Sequence, residues 1–392
     1  MIPVNLSKET GISKKVKARA FAEEVTMNFE KERYDKIKED FEAWWEGKLE
    51  RPIIQVTLDQ ASGQGGDFFA SNYRKVILDA MYDFDLPVEE AAKVVDDAYS
   101  ACIYSGDAIP VFYMRPTGIL GGFLGQDFGI DHNLGTVWFK KMCPELSGII
   151  NVQLDEESPL LKRSIALTKA VQDYFDGRMP VGLPDFGGVM DIVSSIRDAN
   201  PLLEELYFEE DDVKKACWNV HEQFKKAYDM FMAAIDINKI PGYTCWATML
   251  SQKPYFVLQN DFSAMISTDM YDEYYLPILR EECKYIPRTI YHLDGPGAVR
   301  HLDSILTVPE LDGVQWIQGA GAPGLDQWPD IYKKIQKAGK LCQVFINGAA
   351  ELPYIDYIVD LLGTTKGLCF ICTGQSTEQE AFDEYLKKYG CI

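Results

Sequence analysis

The chain has 392 residues, 47% of them hydrophobic and 25% charged, a composition that supports a sizeable globular core. Lysine and arginine number 39 against 60 aspartates and glutamates, a net charge of −21. Nucleic acid and anionic membrane surfaces both need a basic stripe, so both are disfavoured as partners, and the sequence has no apolar run of about 18 residues to span a bilayer.

Residues 1–50 read as a helical arm. Phe21, Phe29, Tyr34, Ile37, Phe41, Trp44 and Trp45 recur at roughly helical spacing within the charged stretch 13–50. The opening segment MIPVNLSKET has no apolar signal core. The nine cysteines are odd in number and widely spaced, which argues against a disulfide framework and makes a reducing cytoplasm the expected location.

From residue 51 the pattern changes to short β-branched runs alternating with helical stretches, the signature of repeated βα units. The predicted strands are 51–58, 108–113, 179–183, 243–249 (continued by 255–259), 289–293, 313–317, 341–346 and 367–372. Helices are predicted from Pro201 into 212–235, then over 268–285, 327–338 and 376–389. Eight such units predict an α/β fold, a single (β/α)8 TIM barrel over 51–392 with an N-terminal helical extension. No G-x-G-x-x-G follows an early strand, so a Rossmann sheet lacks support. Two polar, glycine-rich loops, 59–67 and 115–136, lie where barrel enzymes place their chemistry. Both are expected to be flexible substrate-covering loops, since neither carries the lysine of a phosphate-binding loop.

Barrel strands turn alternate side chains inward, so residues two apart at a strand's end share a face. His292 and Asp294 form such a pair before the turn at Gly295-Pro296-Gly297, and His292 is one of only four histidines. Imidazole and carboxylate together bind a divalent metal or act as an acid/base pair. Other strand ends supply Asp185, Asn260, Asp261, Trp316, Gln318, Asn347, Thr373, Gln375 and Cys372, the last a candidate thiolate ligand whose simpler role is that of a small buried hydrophobe. Aromatic residues near the expected mouth (Phe112, Tyr113, Phe123, Trp246, Tyr255, Tyr291, Trp316) suggest an apolar pocket, with core packing as the alternative.

Four segments resemble the uroporphyrinogen decarboxylase superfamily, which includes corrinoid-dependent methyltransferases. They are GLPDFGGVMDIVSSIRDANPLL (182–203), NDFSAMISTDMYDEYYLPILR (260–280), YHLDGPGAVRHLDSIL (291–306) and TGQSTEQEAFDEYLKKYG (373–390). Tetrapyrrole decarboxylation is disfavoured, because the family's arginine-rich loop after the first strand reads TLDQASGQGG here and has no arginine to grip carboxylates. The zinc methyltransferases of the superfamily carry His-x-Cys-Gly after strand five and a second cysteine near the end of strand eight. Here Asp294 replaces the first cysteine, and Gln375 falls near the second, with Cys372 three residues earlier. The resemblance therefore implies a methyltransferase acting on a small O- or N-methylated compound and passing the methyl to a corrinoid carried by a partner protein. It implies Zn²⁺ at His292 and Asp294, with Cys372 as a further candidate ligand. Catalysis falls to His292, Asp294 and Asp261, and substrate contact to Tyr113, Asp185, Trp246, Trp316, Gln318 and Asn347. A decarboxylase or lyase on a small acid, and a barrel that only binds a small molecule, remain as alternatives.

Overall fold

The computed structural model describes residues 30–59, 72–131 and 135–392. The arm's first part, most of the 59–67 loop and His132 lie outside the described residues.

Within the arm, the helix Lys31–Trp45 turns Tyr34, Ile37, Phe41, Trp44 and Trp45 inward at the predicted spacing. Its two tryptophans donate their indole N–H groups into the main body, Trp44 to the Leu368 carbonyl at 3.0 Å and Trp45 to the Leu250 carbonyl at 2.9 Å. The indoles thus bury their rings and still satisfy their one polar atom.

The central sheet has seven strands: β1 (Ile53–Asp59), β2 (Cys102–Gly106), β5 (Tyr255–Gln259), β6 (Arg288–Asp294), β7 (Gly313–Ile317), β8 (Leu341–Asn347) and β9 (Leu368–Gln375), in the spatial order β2-β1-β9-β8-β7-β6-β5. All pairs are parallel except β1–β2. The helices Thr268–Tyr274 and Leu276–Tyr285 link β5 to β6, Pro329–Lys337 links β7 to β8, and Pro353–Leu362 links β8 to β9. The predicted single helix over 268–285 breaks at Tyr275, two residues before Pro277, whose ring nitrogen has no hydrogen to donate.

Two predicted strands differ. Segment 108–113 forms only a single parallel bridge, Phe112 to Val181, while the laddered strand beside β1 is the antiparallel β2. Segment 243–249 likewise carries single bridges, Leu183 to Cys245 and Tyr243 to Ser251, and the ladder passes to β5. Among the described residues the laddered sheet is mainly parallel and open, with β2 and β5 at its edges.

The glycine-rich stretch 115–136 is buried over residues 119–124 rather than loose there. It holds the fully buried helix Ile119–Phe123 and joins β3 (Phe128–Asp131) to β4 (Thr136–Phe139) in an antiparallel pair. Gly121 and Gly122 are there for closeness. A Cβ on Gly121 would lie 1.9 Å from the Gln126 side-chain oxygen, and one on Gly122 would lie 2.6 Å from Leu160.

Strand parity sorts the side chains. Phe256 packs on Phe186 and Phe224, Tyr291 on Tyr275, and Trp316 on Trp328, all toward the helices. The opposite face carries Gln259, His292, Gln315, Gln343 and Cys369, which sit side by side in register across five strands.

Candidate functional site

Asp261, His292 and Asp294 converge at the carboxyl ends of β5 and β6. One donor atom from each lies within 4.8 Å of the other two. His292 and Asp294 reach this point because residues two apart in β6 share a face. Asp261 arrives from the one-turn 3-10 helix Asp261–Met265 that follows β5. His292 and Asp294 are half-buried. Asp261 is the most exposed of the three, although the protein around it still desolvates its carboxylate. Burial and the neighbouring Asp294 and Asp185 push its carboxyl up to about 7.

The supporting atoms are specific. Asp191, on the helix Val189–Arg197, accepts from the Asp261 amide at 3.1 Å and the Phe262 amide at 2.7 Å, which fixes the turn. Burial pushes Asp191 up to about 7, with Asp261 adding to the shift and these amides opposing it. His301 holds the same turn from the other side, its Nε2 donating to the Ser263 carbonyl at 2.9 Å while its ring stacks on Tyr271. Asp185 accepts from Gln259 Nε2 at 3.1 Å and the Gly187 amide at 3.0 Å, and burial raises it to about 6. His292 Nδ1 is engaged by the Gln315 side-chain oxygen, and Gln315 donates in turn to Gln343. Trp246 stands edge-on to His292, ring centroids 5.3 Å apart, its N–H donated to the Val257 carbonyl at 3.2 Å. Asn260, beside Asp261, is 2% exposed, and neither atom of its side-chain amide has a partner.

The structure thus brings together His292, Asp294, Asp261, Asp185 and Trp246. Gln318 and Asn347 stand at the carboxyl ends of the next strands along the same rim, Asn347 accepting from Thr373 at 3.4 Å. Tyr113 is buried with Arg115 over its ring at 5.0 Å, next to the loop that anchors on Asp185 through the Gly118 amide at 3.0 Å. Two expectations are corrected. Trp316 is fully buried against Trp328, because it has the parity opposite to Gln315 and faces the helices. Cys372 is also fully buried, and pairs in register with Val56 and Ile346 on that same outer face, so its thiol is not among the groups that converge with His292. Of the expected aromatic pocket, Phe112, Phe123, Tyr255, Tyr291 and Trp316 are core, and only Trp246 is half-buried beside the cluster.

Sequence reasoning missed Gln315, Gln343, Gln259 and Asp191. A glutamine in the middle of two otherwise apolar strands, GVQWI and LCQVFI, was the available signal, since a buried amide costs free energy unless bonded.

One imidazole nitrogen and two carboxylate oxygens on a solvent-facing side suit a borderline-hard divalent ion such as Zn²⁺ with room for a further ligand. The mutual repulsion of Asp261 and Asp294 fits such an ion as well, since a cation between them removes it. A separate cavity of about 330 Å³, lined by Arg33, Lys36, Asp40, Arg51, Asp107 and Cys391 among others, opens at the opposite end of β1. Its charges are already committed, Arg51 to Asp40 at 2.9 Å and Asp107 at 2.7 Å and Lys36 to Asp40 at 2.6 Å.

No protein-family model matches the sequence, and no curated protein does. Among solved structures, a methyltransferase from Methanosarcina mazei is similar, with a TM-score of 0.57 over 89% of this chain and 98% of that one, at 11% identity. At that identity the likeness is one of fold.

Proposed function

We propose that the protein is a corrinoid-dependent methyltransferase in which Asp261, His292 and Asp294 hold a divalent cation, Zn²⁺ by the donor set. The observation that carries this reading is the convergence of those three groups at the strand ends, within a chain whose fold is similar to that of a methyltransferase. We read the laddered sheet as the larger part of a (β/α)8 barrel of the uroporphyrinogen decarboxylase type, with the bridge-bearing segments around Phe112, Val181 and Cys245 as its remaining staves.

The substrate in this reading is a small O- or N-methylated compound. Methyl transfer is limited by the leaving group, and an oxygen or nitrogen leaves poorly unless it is protonated or bound to a Lewis acid. The bound ion supplies the Lewis acid. Asp185, whose carboxyl burial raises to about 6, stands ready to give or take a proton beside it. Trp246 offers an apolar wall, and Gln318 and Asn347 offer polar contacts on the rim. The methyl goes to a corrinoid presented by a partner protein at the open side.

Four carboxylates (Asp185, Asp191, Asp261, Asp294) crowd this end, which disfavours the alternative of a decarboxylase acting on a small acid. The test has two arms. Zn²⁺ or Co²⁺ is expected to bind at one equivalent per chain and to be lost in His292→Ala. Incubation with a Co(I) corrinoid protein and methylated amines or methyl ethers is expected to give the methylcobalt spectrum. Absence of methylcobalt with every donor class overturns the transferase reading.

A further inference from the structure

We infer that Gln315 and Gln343 are positioning residues that hold His292 in the tautomer with hydrogen on Nδ1, so that Nε2 is the nitrogen presented to a cation or substrate. The inference deepens the reading of the cluster as a cation site and rests on it for its functional meaning, but its central claim concerns hydrogen placement in the protein itself.

The argument starts from register. His292 lies opposite Gln315, Gln315 opposite Gln343, and Gln343 opposite Cys369. Neighbouring strands are about 4.8 Å apart, a gap that a glutamine side chain spans. The atoms form a directed row: His292 Nδ1 meets the Gln315 oxygen, Gln315 Nε2 donates to the Gln343 oxygen, and Gln343 Nε2 lies 3.9 Å from Cys369 Sγ. An amide oxygen can only accept, so Nδ1 must be the donor and Nε2 keeps its lone pair. A lone glutamine could turn over, offer its NH₂ to Nδ1 and reverse the tautomer. Gln315 is restrained from doing so because its NH₂ is used by Gln343, and both side chains are fully buried. Two leucines would fill this layer with no polar atom to satisfy. The amides contribute direction instead, the role that outer-shell partners of ligating histidines have in metal sites.

The test reads the tautomer directly. In protein labelled with ¹⁵N only at histidine, at about pH 8.5 where a free imidazole is neutral, the ring nitrogens of His292 are expected to report the Nδ1–H form. The signal is assigned by its loss in His292→Gln. Gln315→Leu and Gln343→Met are expected to mix the two tautomers and to weaken Zn²⁺ binding ~10–100-fold. Gln315→Glu keeps an acceptor and is expected to retain both the Nδ1–H form and Zn²⁺ affinity. An Nε2–H signal in the wild type, or a Gln315→Leu variant with an unchanged tautomer and unchanged affinity, overturns the inference. An Nδ1–H wild type that shifts in Gln315→Leu but never binds Zn²⁺ supports the positioning and removes the cation reading instead.

Discussion

Asp191 holds Asp261 in place through the backbone: its two carboxylate oxygens accept from the amides of Asp261 and Phe262, at 3.1 and 2.7 Å, across 70 residues of sequence. The carboxylate that reaches the cluster is therefore aimed by a second, buried carboxylate that does not join it. Asp191→Ala leaves two amides without an acceptor, and hydrogen bonds to a charged group contribute about 1.5–3 kcal/mol each at most. We expect a stability loss of about 2–4 kcal/mol by urea denaturation together with weaker Zn²⁺ binding. Asp191→Asn keeps one oxygen acceptor and is expected to lose less of both. A variant Asp191→Ala that binds Zn²⁺ as the wild type does would show that the turn is aimed by something else.

This dependence explains what was and was not legible in the chain. The His292–Asp294 pair followed from strand parity alone, since both residues lie on one short apolar run. Asp261 followed from its place just after β5. Asp191 sits on a helix seventy residues earlier, and its role exists only once that helix packs beside β5, a tertiary fact with no local signature. The strands of 313–317 and 341–347 were plain because each is a short, mostly apolar run set between helical stretches. Segments 108–113 and 179–183 have strand composition too, but only single bridges form there, because pairing is decided by neighbours and not by propensity.

Cys372 provides a control on the same parity argument. Its side chain faces the helices, fully buried, and burial pushes its thiol well above the ordinary cysteine range. Cys372→Ala is expected to cost about 1 kcal/mol through lost packing and to leave the Zn²⁺ stoichiometry unchanged by elemental analysis. Loss of the metal in that variant would restore the thiolate as a ligand.

Gly188 sets the spacing between the Asp191 helix and β5. A Cβ there would sit 2.1 Å from the Gln259 carbonyl oxygen and 2.4 Å from the Asp191 carboxylate, and a strand carbonyl has little freedom to retreat. Gly188→Ala is expected to destabilise by about 1–3 kcal/mol as an overpacked site and to weaken Zn²⁺ binding by displacing Asp191. Gly129→Ala, where a Cβ would meet nothing within 4 Å, is the matched substitution expected to do neither. Equal thermal midpoints for the two variants would refute the account.

The arm is fastened at the other end of β6, and this separates stability from site chemistry. Arg288 makes two parallel bonds to Glu42 on the helix Lys31–Trp45, at 2.7 and 2.9 Å, adds Ser251 Oγ at 2.8 Å, and lies 5.1 Å from the Trp45 ring. Arg288 is nearly buried and Glu42 about one quarter exposed. Glu42→Ala therefore strands a charge that water reaches poorly. Breaking a fully buried pair costs about 3–5 kcal/mol, and the partial exposure of Glu42 discounts that to about 2–3 kcal/mol. Replacing both residues, as Glu42→Ala with Arg288→Met, removes the stranded charge and is expected to recover part of the loss. His292 lies four residues further along β6, about 13 Å away at the usual strand rise, so Zn²⁺ affinity is expected to be unchanged in both variants. Denaturation midpoints check the first claim and calorimetric Zn²⁺ titration the second. A Glu42→Ala protein as stable as the wild type would mean that the arm is held by its other contacts, the two tryptophans and the Asp40–Arg51 pair among them.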